Sequence, residues 1–387
     1  MAMSKQFLKE LYQKAFDGAE PKEYFISPGR LEIIGNHTDH NGGLAIVAGA
    51  SLRMYAAASR TSTSRVRLYS NGFGMFETRT KISEPNPRGF GRTSALLDGI
   101  VTGFIKRGYD VGGINIAMDS EVLSGSGVSS SAAFETLVCE IINHVFNKDQ
   151  VSKMEMVKIS QEAESIFFGK PCGLLDQIGA CYGDISIVDF KDGDPEVKNT
   201  HFPFKLHIFL VNPGGSHAGL TDYYASVPRD MKNAAKALGK QVLREVDEEM
   251  FKSFVNSSSC ELTDMEKLRA KHFFEENKRV KAAFKAINDN DEEAFIKAIN
   301  ESGLSSSFVL KNTFVPGRKE HSPEEALEIA RVAAPKSAHR VHGGGFMGTT
   351  ISFVKEEEVA AFKKAITDKY GEKGLIEVEI SQGSSLY

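Results

Sequence analysis

Apolar and polar positions alternate along the first part of the chain in a pattern that predicts several β-strands. Such runs are YFISPGRLEIIG, LAIVAGASLRMYAAASR, TSRVRLYS and GINIAMDSEV, which begin at Tyr24, Leu44, Thr63 and Gly113. The first run contains Pro28-Gly29, so we expect a strand that enters a turn and leaves it again. Serine- and glycine-containing segments separate several of these runs and predict loops.

Apolar residues with helical spacing predict helices between and after these strands. The clearest segments are SALLDGIVTGFIKRGY, SAAFETLVCEIINHVF, SKMEMVKISQEAESIFFG and EEEVAAFKKAITDKYG, which begin at Ser94, Ser131, Ser152 and Glu356. Residues 227–330 are charge-rich and are predicted to be mostly helical. Strand-like residues precede this region in KLHIFLVNPG and follow it in TTISFV.

The character of the chain changes near KDGDP, from Lys191 to Pro195. Strands and helices are mixed on both sides of this Gly- and Asp-containing segment, which indicates a mixed α and β organisation. A length of 387 residues also favours two domains over a single core. We therefore predict one domain over residues 1–194 and a second over residues 195–387.

Composition excludes several classes of protein. The formal net charge of −4 offers no basic excess for nucleic acid. Four cysteines without CxxC spacing argue against a zinc knuckle or a disulfide framework and fit a reducing cytoplasm. The N-terminal MAMSKQFLKELYQKAF predicts a charged amphipathic helix, and no apolar run is long enough for a membrane span. We expect a cytoplasmic protein, monomeric or weakly homo-oligomeric, whose partners are small molecules.

The glycine- and serine-rich segment GSGVSSSAAFE, from Gly125 to Glu135, lies between a predicted strand and a predicted helix. Backbone N–H groups in such a loop, together with the helix N-terminus, favour binding of an anion such as phosphate. A Walker A loop would need a lysine, and a dinucleotide fingerprint would need a glycine where Ser130 stands. A phosphate cradle is the preferred interpretation, and a flexible turn with a serine N-cap is the alternative.

A second glycine-rich segment, HGGGFMG from His342 to Gly348, formally contains the spacing GxGxxG. The following TTISFV is strand-like, so the helix required by a dinucleotide-binding site is missing. We interpret this segment as a tight turn that packs closely against another part of the backbone.

A third segment, GNHTDHNGG from Gly35 to Gly43, combines two histidines, an aspartate and two asparagines. A metal site would need further histidines, and no second cluster is evident among the ten. A plain turn would also fit Asn-Gly-Gly after a strand. The density of donors and acceptors favours a site that holds hydroxyl groups, with candidates Arg30, Asn36, His37, Asp39 and Asn41.

Four segments together resemble the galactokinase family of the GHMP kinases. PGRLEIIGNHTDHNGG is similar to the family signature GRVNLIGEHTDYNGG, and GSGVSSSAA to the GHMP phosphate loop. EAESIFFGKPCGLLDQ ends in a variant of the family's PCGIMDQ, and RVHGGGFMGTT resembles its GGGFGGC motif. The motifs occur in family order over nearly the whole chain, which makes the resemblance specific.

This resemblance implies a fold and an activity. The fold class would be α+β, in the two-domain GHMP kinase fold, with an N-terminal half like domain 2 of ribosomal protein S5 and a ferredoxin-like C-terminal half. Nucleotide and sugar would meet in the cleft between the domains. The activity would be transfer of the γ-phosphoryl group of ATP to the anomeric hydroxyl of a hexose.

The resemblance also implies roles for individual residues. Asp176 would lie beside the sugar C1 hydroxyl, with Arg30 stabilising the carboxylate and the charge on the transferring group. The residues of the phosphate cradle would be Gly125, Gly127, Ser129 and Ser130. Mg²⁺ would be held by Ser131, or alternatively Ser130, and by Glu164. The adenine pocket would draw on the segment SALLDGIVTG.

The resemblance also implies that residues of the signature segment and of two later positions contact the sugar. They are Asn36, His37, Asp39, Gly173 and Tyr224, with Tyr223 as the alternative to Tyr224. The spacing around SHAGLTDYYASVPRD departs from the family pattern, and Tyr224 keeps the distance from His217.

Three departures from the family motifs bear on the choice of sugar. Asn36 replaces the family glutamate, His40 replaces a tyrosine, and Met347 replaces a glycine. An amide that donates and an imidazole that adds positive charge would suit a carboxylate at sugar C6. Whole-chain resemblance favours galactose, with galacturonate or another C6-modified sugar as the alternative. A non-catalytic sugar sensor is a further alternative, but the intact serine triplet and Asp176 favour an enzyme.

Overall fold

The computed structural model describes residues 3–122, 127–191, 194–215 and 219–387. Its helices are α1 Lys5–Ala15, α2 Thr93–Lys106, α3 Ser130–Asn147, α4 Lys153–Glu162, α5 Leu175–Tyr182, α6 Thr221–Ala237, α7 Glu248–Val255, α8 Asp264–Asp289, α9 Glu292–Ser305, α10 Pro323–Ala333 and α11 Val359–Tyr370. Its strands are β1 Glu23–Ile34, β2 Leu44–Arg60, β3 Arg65–Ser70, β4 Gly74–Arg79, β5 Ile114–Ser120, β6 Ile185–Asp189, β7 Glu196–Thr200, β8 His207–Val211, β9 Ala338–His342, β10 Thr349–Val354, β11 Leu375–Val378, β12 Ile380–Ser381 and β13 Ser385–Leu386. The mixed α and β content predicted from periodicity is confirmed, as are the helices α2, α3, α4 and α11.

The chain forms two compact units that are not continuous in sequence. Unit 1 consists of Met1–Arg30, Ala48–Asp184 and Ile380–Tyr387, and unit 2 consists of Leu31–Val47 and Ile185–Glu379. The chain therefore passes from one unit to the other within β1 and again within β2. The division at residues 194 and 195 stays a prediction, and Asp192 and Gly193 of the boundary segment lie outside the described residues.

Unit 1 is built on a sheet in which β1 and β2 are central. The strand order is β13-β1-β2-β5-β3-β4, with β2 antiparallel to β5 and β3 parallel to β5. Helix α1 packs its apolar stripe on this sheet through Leu8, Leu11 and Tyr12, which meet Tyr55 and Ala117. Its N-cap is Ser4, whose hydroxyl accepts a hydrogen bond from the Phe7 N–H at 3.2 Å.

The turn predicted at Pro28-Gly29 is wrong, because β1 runs without interruption from Glu23 to Ile34. The Arg30 N–H donates to the Val128 carbonyl at 2.7 Å, so another backbone segment lies directly against this point of the strand. A Cβ atom at Gly29 would be 2.8 Å from that carbonyl oxygen. The glycine thus permits a close backbone approach rather than a change of direction.

Unit 2 contains an antiparallel four-stranded sheet with the order β11-β8-β10-β9. Helices α10 and α11 cover one side of it, and their apolar residues share a buried cluster with Phe209 and Val211 of β8. This cluster includes Ala326, Ala330 and Phe362. The segment HGGGFMG forms the turn between β9 and β10, as expected for a tight turn followed by a strand.

Helices α8 and α9 form a long antiparallel pair in unit 2. A capping box begins α8, in which the Thr263 hydroxyl accepts from the Glu266 N–H and the Glu266 carboxylate accepts from the Thr263 N–H. Asn290, with a φ of 56°, ends the helix in the left-handed region. The polar side of α8 positions the segment that carries the candidate sugar residues, as described below. Within the described residues, no helix is both long and apolar enough to span a membrane.

Candidate active site

Arg30 and Asp176 form an ion pair in unit 1. The Arg30 Nε donates to Asp176 Oδ1 at 2.7 Å, and a second guanidinium nitrogen donates to the same oxygen. The Arg30 side chain is 7% exposed and the Asp176 side chain 29% exposed, so the carboxylate is the member that reaches solvent. A third bond runs from Arg30 to the Gly127 carbonyl at 3.3 Å. The sequence-predicted catalytic pair is thus in direct contact, next to one residue of the predicted phosphate cradle.

The environment of Asp176 keeps it ionised. Burial opposes the charged form, but the charge and hydrogen bonds of Arg30, with Ser129 and Lys170, hold the pKa of its carboxyl below the usual range. Asp176 also lies in the first turn of α5, where the helix dipole favours a negative charge. The result is a partly exposed carboxylate at neutral pH, able to accept a hydrogen bond from a hydroxyl group.

Gly179, one turn further along α5, allows this ion pair to form. A Cβ atom at Gly179 would overlap the Cγ of Arg30 and would lie 3.1 Å from its Cβ. Helix α5 therefore approaches β1 closely enough for Asp176 to meet Arg30 only because this position carries no side chain.

The serine triplet lies at the N-terminus of α3 in unit 1. Ser129 has a φ of 56°, and α3 begins at Ser130, with no side chain among the described residues capping its first turn. N–H groups at an uncapped helix start are suited to an anion. Gly127, Ser129 and Ser130 lie at or just before this helix start, and their role as a phosphate cradle stays a prediction. Gly125 lies outside the described residues.

Ser131 and Glu164, the predicted magnesium ligands, are also in contact. The Ser131 hydroxyl donates to Glu164 Oε1 at 2.7 Å, and the Lys170 ammonium donates to the same oxygen at 2.8 Å. Glu164 is 1% exposed and lies in a short π-helical segment, Ala163–Phe167, that follows α4. A π-helical turn displaces a side chain relative to a regular helix and is frequent at functional positions. A hydroxyl and a carboxylate form an oxygen donor set that fits Mg²⁺.

A second buried carboxyl group, Glu135, is linked to Glu164 through one amide. Gln177 Nε2 donates to Glu164 Oε2 at 2.9 Å and to Glu135 Oε2 at 3.1 Å. Burial, and then the charge of Glu164, raise the pKa of Glu135 well above its usual range. Burial thus favours the neutral form of Glu135. Gln177 binds Oε2 of Glu164, whereas Ser131 binds Oε1 of the same carboxylate.

In unit 2, residues 35–43 form a compact loop that we call the signature loop. Thr38 closes it, because its hydroxyl lies 2.9 Å from the Gly35 carbonyl and 2.7 Å from the Leu44 carbonyl. His37 adopts a φ of 57°, and Asp39 begins a short 3-10 turn, Asp39–Asn41. Both side chains are partly exposed.

Asn36 is 1% exposed and its amide is used within the protein. Its Nδ2 donates to Glu32 Oε1 at 3.0 Å and to the Gly343 carbonyl at 2.7 Å. Its Oδ1 accepts from Asn312 Nδ2 at 2.7 Å. A sugar contact of Asn36 stays a prediction, but both of its amide protons already have protein acceptors.

Three side chains of α8 hold the signature loop from one side. His272 Nε2 lies 2.9 Å from the Asn36 carbonyl, and Glu276 Oε1 accepts from the Gly35 N–H at 3.1 Å. Asn277 Oδ1 accepts from the Leu44 N–H at 2.7 Å. Because His272 and Glu276 are one helical turn apart, they bind the backbone of the loop from the same face of α8.

The turn of residues 343–348, which we call the glycine turn, lies against the signature loop and Tyr224 within unit 2. His37 Nε2 is 3.1 Å from the Gly344 carbonyl, and the Tyr224 hydroxyl donates to the Gly345 carbonyl at 3.2 Å. A Cβ atom at Gly344 would be 2.7 Å from the Tyr224 ring. Unit 2 therefore assembles Asn36, His37 and Tyr224 around one turn, and Tyr223 is 36% exposed beside it. Gly173, in unit 1, is exposed and lies three residues before Asp176.

Comparison with known proteins identifies the family. The family model "GHMP kinases N terminal domain" matches residues 84–184, and the model "Galactokinase galactose-binding signature" matches residues 10–60. The galactokinase of Lactobacillus helveticus is 30% identical over 388 residues, which cover 95% of this chain and 94% of that protein. This chain belongs to the galactokinase family. Like its family, it is a sugar kinase.

Solved structures agree with this assignment of fold. A Lactococcus lactis galactokinase complexed with galactose matches with a TM-score of 0.85 and 26% identity over 99% of both chains. The mevalonate kinase of Methanococcus jannaschii matches with a TM-score of 0.66 and 14% identity, over 93% of this chain and 99% of that one. The galactokinase-family chain therefore has the GHMP kinase fold, as predicted from its motifs.

Sequence reasoning missed several residues that orient candidate site residues within each unit of this galactokinase-family chain. They are Glu135, Gln177, His272, Glu276 and Asn312. Glu135 could have been found as a carboxylate among the apolar residues of AAFETLVC. His272 and Glu276 have i,i+4 spacing on a long charged helix, but many other charged pairs on α8 share this pattern, so the sequence does not distinguish them.

Proposed function

We propose that this chain transfers the γ-phosphoryl group of ATP to the anomeric hydroxyl of galactose, giving galactose 1-phosphate and ADP. The observation that carries the proposal is the Arg30–Asp176 ion pair, partly exposed and adjacent to the uncapped N-terminus of α3. The relatives named galactokinase and the galactose-bound structure support galactose as the acceptor.

Asp176 would orient the C1 hydroxyl and receive its proton. An alcohol is a far weaker acid than a carboxyl group whose pKa lies below the usual range. Transfer of the proton before phosphorylation is therefore unfavourable, and Asp176 accepts the proton as the new oxygen–phosphorus bond forms. A base that acts late in this way suits a loose phosphoryl-transfer transition state.

Arg30 and the start of α3 would supply positive charge and donors. Arg30 holds Asp176 ionised and in place, and its guanidinium stabilises negative charge on the transferring group. The N–H groups at the start of α3 would receive phosphate oxygens. Catalysis would thus rest on positioning and on charge stabilisation, which dominate phosphoryl transfer.

The donor set of Ser131 and Glu164 would hold Mg²⁺ together with ATP. The ion, when bound, neutralises charge on the phosphate oxygens. Ser131 and Glu164 already share a hydrogen bond, and Gln177 fixes the second oxygen of the carboxylate. Lys170, which is 58% exposed, balances the charge of Glu164 in this structure.

Galacturonate is less well supported than galactose. The amide protons of Asn36 have protein acceptors, so they offer no donor to a C6 carboxylate. Burial, and then the charges of His37 and Lys232, lower the pKa of His40 well below its usual value, so His40 supplies no positive charge at neutral pH. Asn36 and His40, the two residues that favoured a uronic acid in the sequence, therefore give no support for a C6 carboxylate in the structure.

The proposal is tested by measuring ATP-dependent ADP release against galactose, galacturonate, N-acetylgalactosamine, fucose and arabinose. We expect galactose to show the highest kcat/KM. A higher kcat/KM for galacturonate would overturn the choice of sugar while keeping the sugar-kinase assignment. Binding of galactose without ADP release would favour a sensor instead.

A further inference from the structure

A directional chain of hydrogen bonds crosses the signature loop in unit 2. At one end, the Leu243 N–H donates to Asn41 Oδ1 at 3.2 Å, which fixes the orientation of the Asn41 amide. Asn41 Nδ2 is then the donor to His40 Nδ1, at 2.9 Å. An imidazole nitrogen that accepts carries no proton, so neutral His40 carries its proton on Nε2.

The proton on His40 in turn determines the tautomer of His37. His40 Nε2 lies 3.4 Å from His37 Nδ1, so the proton on His40 points to an acceptor nitrogen of His37. His37 must then carry its own proton on Nε2, which faces the Gly344 carbonyl at 3.1 Å. A backbone N–H begins the chain and a backbone carbonyl ends it, so a single arrangement of protons satisfies every link.

We propose that His40 is a positioning residue that fixes the proton of His37 on Nε2, and thereby holds the glycine turn against the signature loop. The effect reaches the sugar site because Gly344 packs on the ring of Tyr224. This last step rests on the proposed function, in which Tyr224 and the signature loop contact the sugar. The family tyrosine at this position cannot form the same imidazole chain.

The charged groups around His40 support a neutral imidazole at this position. Lys232 of α6 acts on His40, and the signature loop also contacts α8, which carries His272, Glu276 and Arg279. Glu276 directs its carboxylate to the Gly35 and Asn36 N–H groups and to Arg279. A proton added to Nδ1 of either His37 or His40 would face a donor and break the chain.

The first test reads the protonation directly. Long-range ¹H–¹⁵N spectra of the full-length protein, labelled with ¹⁵N-histidine, distinguish the two neutral tautomers and the cation. We expect His37 and His40 to carry a proton on Nε2 and none on Nδ1 at pH 7.5, and His40 to remain neutral at pH 6.0. A cation or an Nδ1-protonated form of either residue at pH 7.5 would overturn the proposal.

The second test uses two substitutions of different chemistry. In His40→Gln, the side-chain amide can still donate to His37 Nδ1 but cannot titrate, whereas His40→Leu has no donor. We expect the KM for galactose to rise about tenfold in His40→Leu, the size of one lost hydrogen bond, with kcat changed by less than about threefold. The KM of His40→Gln should lie close to that of the unsubstituted protein, and His37 should keep its proton on Nε2 in this variant.

The outcomes of the two tests separate this inference from the proposed function. Equal KM values in His40→Gln and His40→Leu would contradict a positioning role through His37. If His40→Leu does not fold, the tautomers of the unsubstituted protein and of His40→Gln still decide the question. If the chain does not phosphorylate galactose, the proposed function fails while the spectra test the hydrogen-bond chain independently.

Discussion

At the scale of single residues, the function depends on which side chains remain available to a ligand. Asp176 is partly exposed and ionised, whereas Asn36 is buried with both amide protons used. Sequence resemblance assigned both residues to the sugar site in the same way. They differ because the amide of Asn36 donates to Glu32 and to the Gly343 carbonyl, and Gly343 is 307 residues away from Asn36 in the sequence.

Replacement of Asp176 by alanine should reduce kcat by about 10² or more, because the group that orients and deprotonates the C1 hydroxyl is lost. Binding of ATP, measured by titration calorimetry, should be retained, since Ser129 and Ser130 belong to a separate element. Asp176→Asn is the matched control for volume, and it should be similarly slow. Turnover of either variant near that of the unsubstituted protein would remove Asp176 from the mechanism.

Replacement of Asn36 by glutamate should destabilise the fold rather than exchange one sugar for another. The new carboxylate would lie beside Glu32, and two unit charges about 4 Å apart at an effective dielectric near 20 repel by on the order of 4 kcal/mol. Denaturant unfolding should show a clear loss of stability, whereas Asn288→Glu on the exposed surface of α8 should show little. Unchanged stability with a shifted galactose-to-galacturonate ratio would return Asn36 to the sugar site.

At the scale of elements, hydrophobic periodicity predicts helices well and their contacts poorly. The helices α2, α3 and α11 follow directly from the spacing of their apolar residues. The continuity of β1 through Pro28-Gly29 could not be predicted, because it depends on the approach of Val128 from a distant part of the chain. The hydrogen bonds between α8 and the signature loop could not be predicted either, because they join distant parts of the chain. His272 and Asn36, for example, are 236 residues apart.

The packing of α5 against β1 can be tested at Gly179. Gly179→Ala should push Arg30 away from Asp176 and lower kcat, although alanine introduces no reactive group. The effect should vanish in the background of Asp176→Ala, because the two changes act on one interaction. Four kcat values form this double-mutant cycle, with thermal unfolding as a control for stability. Additive effects of the two substitutions would show that Gly179 acts by another route.

At the scale of the whole molecule, the sequence does not predict which segments of the chain belong to which unit. The last eight residues, Ile380–Tyr387, belong to unit 1, and β12 and β13 pair with β2 and β1. The apolar pattern of a β-strand does not specify which sheet receives that strand. The family resemblance, by contrast, predicted the fold because four separate motifs preserve their order along the chain.

Acidification should destabilise unit 2 in a predictable range of pH. Burial lowers the pKa of His272 and that of His339 to about 4, whereas an unfolded histidine has a pKa near 6.5. Between pH 6.5 and pH 4, these histidines are therefore protonated in the unfolded state but not in the folded state. The free energy of unfolding falls as the pH is lowered through this range. Each histidine accounts for roughly 3 kcal/mol over this interval.

Urea unfolding between pH 7.5 and 4.5 measures this effect. His339→Gln should have a shallower dependence on pH by about one proton, because one buried imidazole is absent. Equal slopes for this variant and the unsubstituted protein would contradict a neutral, buried His339. Stability that rises as the pH is lowered would contradict the direction of the shift for both histidines.

The central claim, phosphorylation of the anomeric hydroxyl, is tested most directly by the structure of the product. We would incubate the protein with ATP, Mg²⁺ and galactose labelled with ¹³C at C1, and record ³¹P and ¹³C spectra. We expect a sugar phosphate whose phosphorus couples to the labelled C1, and loss of that product in Asp176→Ala. Phosphate on another hydroxyl, or no sugar phosphate at all, would contradict it.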